Sequence, residues 1–165
     1  SDDAGYDFQL LKAVVSADDR QRQHIVDRLE ELLGGLAGRT VALWGLAFKA
    51  NTDDVRVSPA IEMAHDIRRR GARIVAHDPQ ATAPDGVVDE QVDSPLAAAI
   101  GADALLVGTE WPQFAAVAAE DIAAALRGDL VYDARNLLDP EALQAAGLRY
   151  VGVGRGHVLR DTRLD

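Results

Sequence analysis

The chain has 165 residues, room for one domain and a short additional element. Hydrophobic residues make up 48% and charged residues 27%, which excludes wholesale disorder; the net charge of −10, from 17 Lys and Arg against 27 Asp and Glu, speaks against nucleic acid, whose phosphates demand a basic surface. Cysteine is absent, so disulfides, thiolate metal ligands and a cysteine nucleophile are excluded within the chain.

Ser1-Asp2-Asp3-Ala4-Gly5 reads as an internal boundary rather than a natural start. Residues 6–33 read as one long helix, because Leu11, Val15, Ile25, Leu29 and Leu32 recur at three-to-four spacing and Gly34-Gly35 supplies a stop. Its middle, Ser16 to His24, is polar except for Ala17. Such a gap in the apolar stripe is either solvated or faces a polar site built with another domain.

From Thr40 the pattern changes. Thr40–Trp44 is a short apolar run ending at Gly45, a buried strand by length and flanks. Val57–Arg70 is predicted helical, with Ser58-Pro59 suited to its start. Arg68-Arg69-Arg70, the longest basic run, reads as a solvated helix end whose cations complement the dipole. A second strand, Arg73–His77, closes on Asp78-Pro79, and residues 80–92 are loop-like with a short strand expected at Val87-Val88. Then follow a short helix from Ser94-Pro95, a strand over 103–108, helical segments near 112–126, a strand over 129–133, a helix over 140–146 and a strand over 148–153. Strands alternating with helices imply parallel pairing through crossovers, and apolar strands without strict alternation imply a sheet covered on both faces. The predicted fold is therefore α/β: a doubly wound, mainly parallel Rossmann-like sheet with an N-terminal connecting helix. The expected divisions are 6–35 for that helix, 38–155 for the Rossmann-like domain and 156–165 for a tail without pattern.

In an open parallel sheet, ligands bind beyond the carboxyl ends of the strands. That directs attention to the loop from Gly45 to Ser58, which has neither G-x-G-x-x-G nor a P-loop and so does not make a self-sufficient dinucleotide site of the usual type. It offers a lysine, Lys49, and an arginine, Arg56, both suited to phosphate. Asp53 and Asp54 are expected to serve structurally, one capping the following helix and the other pairing with Arg56. Trp111, before Pro112, reads as a packing element. His24, His65, His77 and His157 have no metal-ligand spacing, so no metal is expected.

The segment Gly45-Leu-Ala-Phe-Lys49, with Asn51-Thr-Asp-Asp54-Val-Arg56 and Ser58-Pro59-Ala60, resembles the G-L-A-F-K-x-x-T-D-D-x-R-x-S-P signature of the UDP-glucose/GDP-mannose dehydrogenases. The likeness continues in Gly71-Ala72, Asp78-Pro79, Thr109-Glu110-Trp111 and Tyr132-Asp133-Ala134-Arg135-Asn136, and it covers roughly residues 10 to 155. In that family the sugar C6 alcohol is oxidised to a carboxylate with NAD. The catalytic cysteine and the NAD fingerprint lie in N-terminal and central domains outside this chain. The resemblance implies that this chain is the UDP-sugar-binding C-terminal domain, with no catalytic residue of its own and with those domains, the UDP-sugar and NAD as partners. Membrane and nucleic acid are not expected partners, a homo-oligomer is compatible, and the expected setting is the cytoplasm. By the same resemblance, Phe48, Lys49 and Arg135 match substrate contacts, and Arg56 matches an arginine that reaches NAD held by the neighbouring domain. Asp18 stands where the family pattern carries Asn, adding a negative charge near the interdomain site. The rival readings from the fold alone are a stand-alone nucleotide-binding module and a subunit-association domain, neither with redox activity.

Overall fold

The computed structural model describes residues 19–153, so the first part of the predicted long helix, with Leu11, Val15 and Asp18, and the tail with His157 lie outside the described residues. Helix α1 occupies residues 19–33. Ile25, Val26 and Leu29 bury its apolar side, and the Gly35 amide donates back to the Glu30 carbonyl at 2.9 Å, closing the helix with Gly34 and Gly35 at positive φ.

Six strands follow: β1 (Thr40–Trp44), β2 (Arg73–His77), β3 (Glu90–Gln91), β4 (Ala104–Val107), β5 (Leu130–Asp133) and β6 (Arg149–Gly152). The intervening helices are α2 (Pro59–Arg69), α3 (Pro95–Ala99), α4 (Pro112–Ala115), α5 (Ala119–Ala125) and α6 (Pro140–Ala145). The strands form one parallel sheet in the order β3-β2-β1-β4-β5-β6. Strand order therefore reverses between β1 and β4, which is the switch point where such sheets bind ligands. All four residues of both β4 and β5 are buried, as expected for strands covered on two faces. Trp44, Trp111, Phe114 and Tyr150 are the largest fully buried side chains. Trp44 packs on Phe114 at 5.3 Å between ring centroids and donates its indole N–H to the Pro95 carbonyl at 2.9 Å.

Three expectations need correction. The short edge strand lies at Glu90–Gln91, not at Val87-Val88; Val87 is instead a buried core residue, and an apolar side chain pinned in the core reads like a strand in sequence. Helix α2 begins at Pro59 because Val57 sits at φ +51°, outside the helical region. The residue before Pro59, Ser58, is its N-cap but makes no side-chain capping bond, so neither Asp53 nor Asp54 caps the helix. The Ser58 hydroxyl donates to the Leu46 carbonyl at 2.7 Å instead.

Candidate functional site

The loop from β1 to α2 is held at nearly every polar atom of its first turn. Gly45 has φ +97°, and a Cβ there would lie 2.4 Å from the Thr109 Cβ, so only glycine lets β1 and the end of β4 approach this closely. The Leu46 and Ala47 amides donate to one carboxylate oxygen of Asp78, at 2.7 and 3.0 Å. Their carbonyls accept from Ser58 and Thr109 hydroxyls, both at 2.7 Å. The Phe48 amide then bonds the Asp54 carbonyl at 2.7 Å, which folds the loop back on itself. Phe48 emerges from this anchored turn 45% exposed, unusual for a large aromatic ring.

A second loop, after β5, is built by the same device. The Asp133 carboxylate is fully buried and accepts from the Arg135 amide at 3.1 Å, the Leu138 amide at 2.7 Å and the Tyr150 hydroxyl at 3.0 Å. Asn136 adopts φ +52° and donates from its side-chain amide to the Val153 carbonyl at 2.9 Å. Arg135 is thereby set at the carboxyl edge of the sheet, its guanidinium 2.5 Å from the Glu110 carboxylate. That contact is an ion pair without hydrogen-bond alignment. Glu110 Oε2 is shut off from water and makes no hydrogen bond of good geometry.

The two loops and α1 enclose a cleft of about 300 Å³. Its lining comes from Phe48, Val57, Pro59 and Met63 of the β1–α2 segment, from Gly108, Ala134 and Arg135 just beyond the ends of β4 and β5, and from Gln21, Arg22 and Ile25 of α1. Val57, 82% exposed, holds a left-handed backbone conformation that strains a β-branched residue. The cleft thus combines two guanidinium groups with an aromatic ring and aliphatic surface. It can bind an anion joined to a flat apolar group. It holds no nucleophile, and among the described residues no group of three His, Cys, Asp or Glu could hold a metal ion.

Of the residues singled out in sequence, Phe48 and Arg135 meet in this cleft. Strand β4 lies between their parent strands, so β1 and β5 are not neighbours, and Gly108, just past the end of β4, lines the cleft between their loops. Lys49 is exposed on the same loop but does not line the cleft. Arg56 is also outside it; its side chain is 88% exposed and pairs with Asp54 through Nε at 3.1 Å and Nη2 at 3.0 Å. The hydrogen bond from Arg56 holds the Asp54 carboxyl below its ordinary pKa, which keeps it ionised and unsuited to act as an acid. Trp111 is buried and donates its indole N–H to Asp78 at 3.2 Å, so it is a packing element as expected.

Sequence reasoning passed over Arg22, which pairs with Asp19 and faces the cleft. The available signal was its phase: positions 22, 25, 26 and 29 share one helix face, so Arg22 continues the buried stripe as a charge. It also passed over Asp78, Asp133 and Glu110 as supports of the two loops.

The UDP-binding domain of the UDP-glucose/GDP-mannose dehydrogenase family matches residues 42–140. The UDP-glucose 6-dehydrogenase of Pseudomonas aeruginosa is 43% identical over 161 residues, covering 92% of this chain and 36% of that protein. Among solved structures, a UDP-glucose dehydrogenase from the hyperthermophilic archaeon Pyrobaculum islandicum is 36% identical with a TM-score of 0.71, covering 86% of this chain and 31% of the other. A UDP-D-ManNAc dehydrogenase from Pyrococcus horikoshii is 29% identical with a TM-score of 0.72, covering 84% of this chain and 32% of the other. The chain spans about a third of the length of the curated relatives it matches.

Proposed function

The chain belongs to the UDP-glucose/GDP-mannose dehydrogenase family, and from that premise we propose that it is the part of an NAD-dependent nucleotide-sugar 6-dehydrogenase that grips the UDP-sugar. The observation that carries this reading is the meeting of Phe48, Arg135 and Arg22 in one cleft at the switch point. Phe48 offers a partly exposed ring against which a base or ribose can pack. Arg135 and Arg22 offer planar, permanently charged donors to a diphosphate, a ligand that an acidic chain does not hold by general attraction. Lys49, exposed beside Phe48, is assigned to the phosphate or sugar hydroxyls at the mouth of the site.

Helix α1 is assigned to the end of a connecting helix, with Gln21 and Arg22 on the side where a further domain completes the enclosure. Arg56 is assigned to NAD bound by that further domain. The oxidation itself needs a cysteine nucleophile and a dinucleotide site, which the family supplies from its other domains; this chain contains no cysteine. The substrate class is a UDP-sugar, UDP-glucose being the first choice from the relatives' names. No helix of the described residues is long and apolar enough to cross a membrane.

The test is calorimetric titration of the chain with UDP at low ionic strength, alongside an assay for NADH formation with UDP-glucose. Weak binding of UDP with no NADH above a no-protein control is the expected result. NADH formation by the chain alone would contradict the proposal.

A further inference from the structure

In doubly wound folds that bind dinucleotides, the amides after the first strand point at the ligand's phosphates, and the backbone donors there form an anion nest. Here the same amides are already in use. Leu46 N–H and Ala47 N–H converge on Asp78 Oδ2 at 2.7 and 3.0 Å, and the Trp111 indole N–H adds a third donor to that oxygen at 3.2 Å. The other oxygen of Asp78 accepts from the Gln80 and Ala81 amides at 2.9 and 2.8 Å. Asp78 as a whole is only 7% exposed. It is a buried charge with no arginine or lysine against it in any of these contacts, satisfied by five neutral donors. That is how a protein holds a bound phosphate or sulfate.

We propose that Asp78 is a built-in anion that occupies the phosphate position of this fold and acts as the positioning residue for the Phe48 side of the cleft. Its two bonds to Leu46 and Ala47 fix the turn immediately before Phe48. Because the backbone nest is filled from within, ligand phosphates are recognised by side chains, Arg135 and Arg22 foremost. The chain's own sheet therefore does not fit a dinucleotide in the usual β1-loop position. This inference rests on the UDP-site reading for its effect on ligand, but its anion-nest half stands on the Asp78 geometry alone.

The experiment uses the full 165-residue chain. Asp78→Ala removes the carboxylate and leaves its donors facing a cavity. The expected result is UDP binding weakened about tenfold, the equivalent of ~1.4 kcal/mol, and recovered on adding millimolar formate, with chloride inactive as the control. In amide-proton NMR spectra of the same variant, formate should saturably shift Leu46, Ala47 and the Trp111 indole N–H. If Asp78→Ala is unfolded without an anion, recovery of its folded spectrum with formate and not with chloride supports the proposal. Absence of that recovery contradicts it. Asp78→Asn, which fills the space and keeps an acceptor, should stay folded, bind UDP more weakly than the native chain and gain nothing from formate. The proposal is overturned if formate leaves the three N–H signals of Asp78→Ala unmoved, or if Asp78→Asn binds UDP as the native chain does. Failure of the native chain to bind UDP overturns the site reading instead, and the formate shifts still decide the role of Asp78.

Discussion

Arg127 clasps Asp103 through two hydrogen bonds, Nε at 3.1 Å and Nη2 at 2.7 Å, at the amino-terminal edge of the sheet, opposite the cleft. Asp103 also accepts from the Thr40 amide at 2.8 Å, so one carboxylate ties the start of β1 to the start of β4 and to the turn before β5. Gly128 makes the turn possible, since a Cβ there would lie 2.0 Å from the Asp103 carbonyl oxygen.

This cluster predicts an acid-sensitive contribution to stability that is independent of ligand. Arg127 foremost, then the Thr40 amide, hold the Asp103 carboxyl below the usual carboxylate range while burial opposes them. A depressed folded pKa means the stabilisation is fully present above the unfolded value and is lost as pH falls through the folded one. Asp103→Ala should cost about 1–3 kcal/mol at neutral pH, because the part-buried Thr40 amide loses its acceptor. The difference in Tm between this variant and the native chain should shrink as pH drops below about 4, with UDP affinity at neutral pH unchanged. A gap of constant size down to strong acid would contradict the assignment.

Gly45→Ala combines a positive φ with a collision against Thr109, whose Cβ and amide lie 2.4 and 2.7 Å from the added carbon. The expected loss is about 2 kcal/mol or more, read by urea unfolding, together with weakened UDP binding as the loop bearing Phe48 is displaced. A variant as stable as the native chain would mean that β1 and β4 separate more easily than the packing indicates.

Arg56→Ala should behave differently from changes in the cleft. Its guanidinium is exposed and engaged only by Asp54 in the contacts described. UDP affinity of this chain should stay within about twofold of the native value. In the complete enzyme the same change should raise the KM for NAD. Loss of UDP binding in the isolated chain would assign Arg56 to the wrong ligand.

Much of the fold was legible because its signals are local. The apolar runs of β1, β2, β4, β5 and β6 are short and bounded by turn residues, and Pro59, Pro95, Pro112 and Pro140 each sit at the first position of a helix. The strand at Glu90–Gln91 was not legible: two exposed polar residues pair with β2 at the sheet edge through backbone bonds that carry no side-chain pattern. The site divided the same way. Phe48 and Arg135 stand in motifs of mixed chemistry that identify the family, and the strand order brings their loops to one edge. The roles of Asp78 and Asp133 depend on backbone amides from other segments, and an aspartate at a strand end looks the same whether it meets solvent or five N–H groups. Lys49 shows a different limit: it shares the motif with Phe48 but is exposed and outside the lining of the cleft, a difference that the motif's sequence does not carry.

The central claim is that a UDP-sugar binds in the cleft lined by Phe48 and Arg135, and its most direct test is a calorimetric titration of the chain with UDP, repeated for Arg135→Ala, Phe48→Ala and Lys49→Ala. The account predicts weak, saturable binding by the native chain, because in the proposed reading this chain supplies only part of the enclosure around the ligand. Arg135→Ala and Lys49→Ala should each weaken binding about tenfold or more, the effect of removing a hydrogen bond to a charged group, and Phe48→Ala should weaken it without altering its salt dependence. Undetectable binding at millimolar UDP, or binding left intact by both Arg135→Ala and Lys49→Ala, would contradict the account.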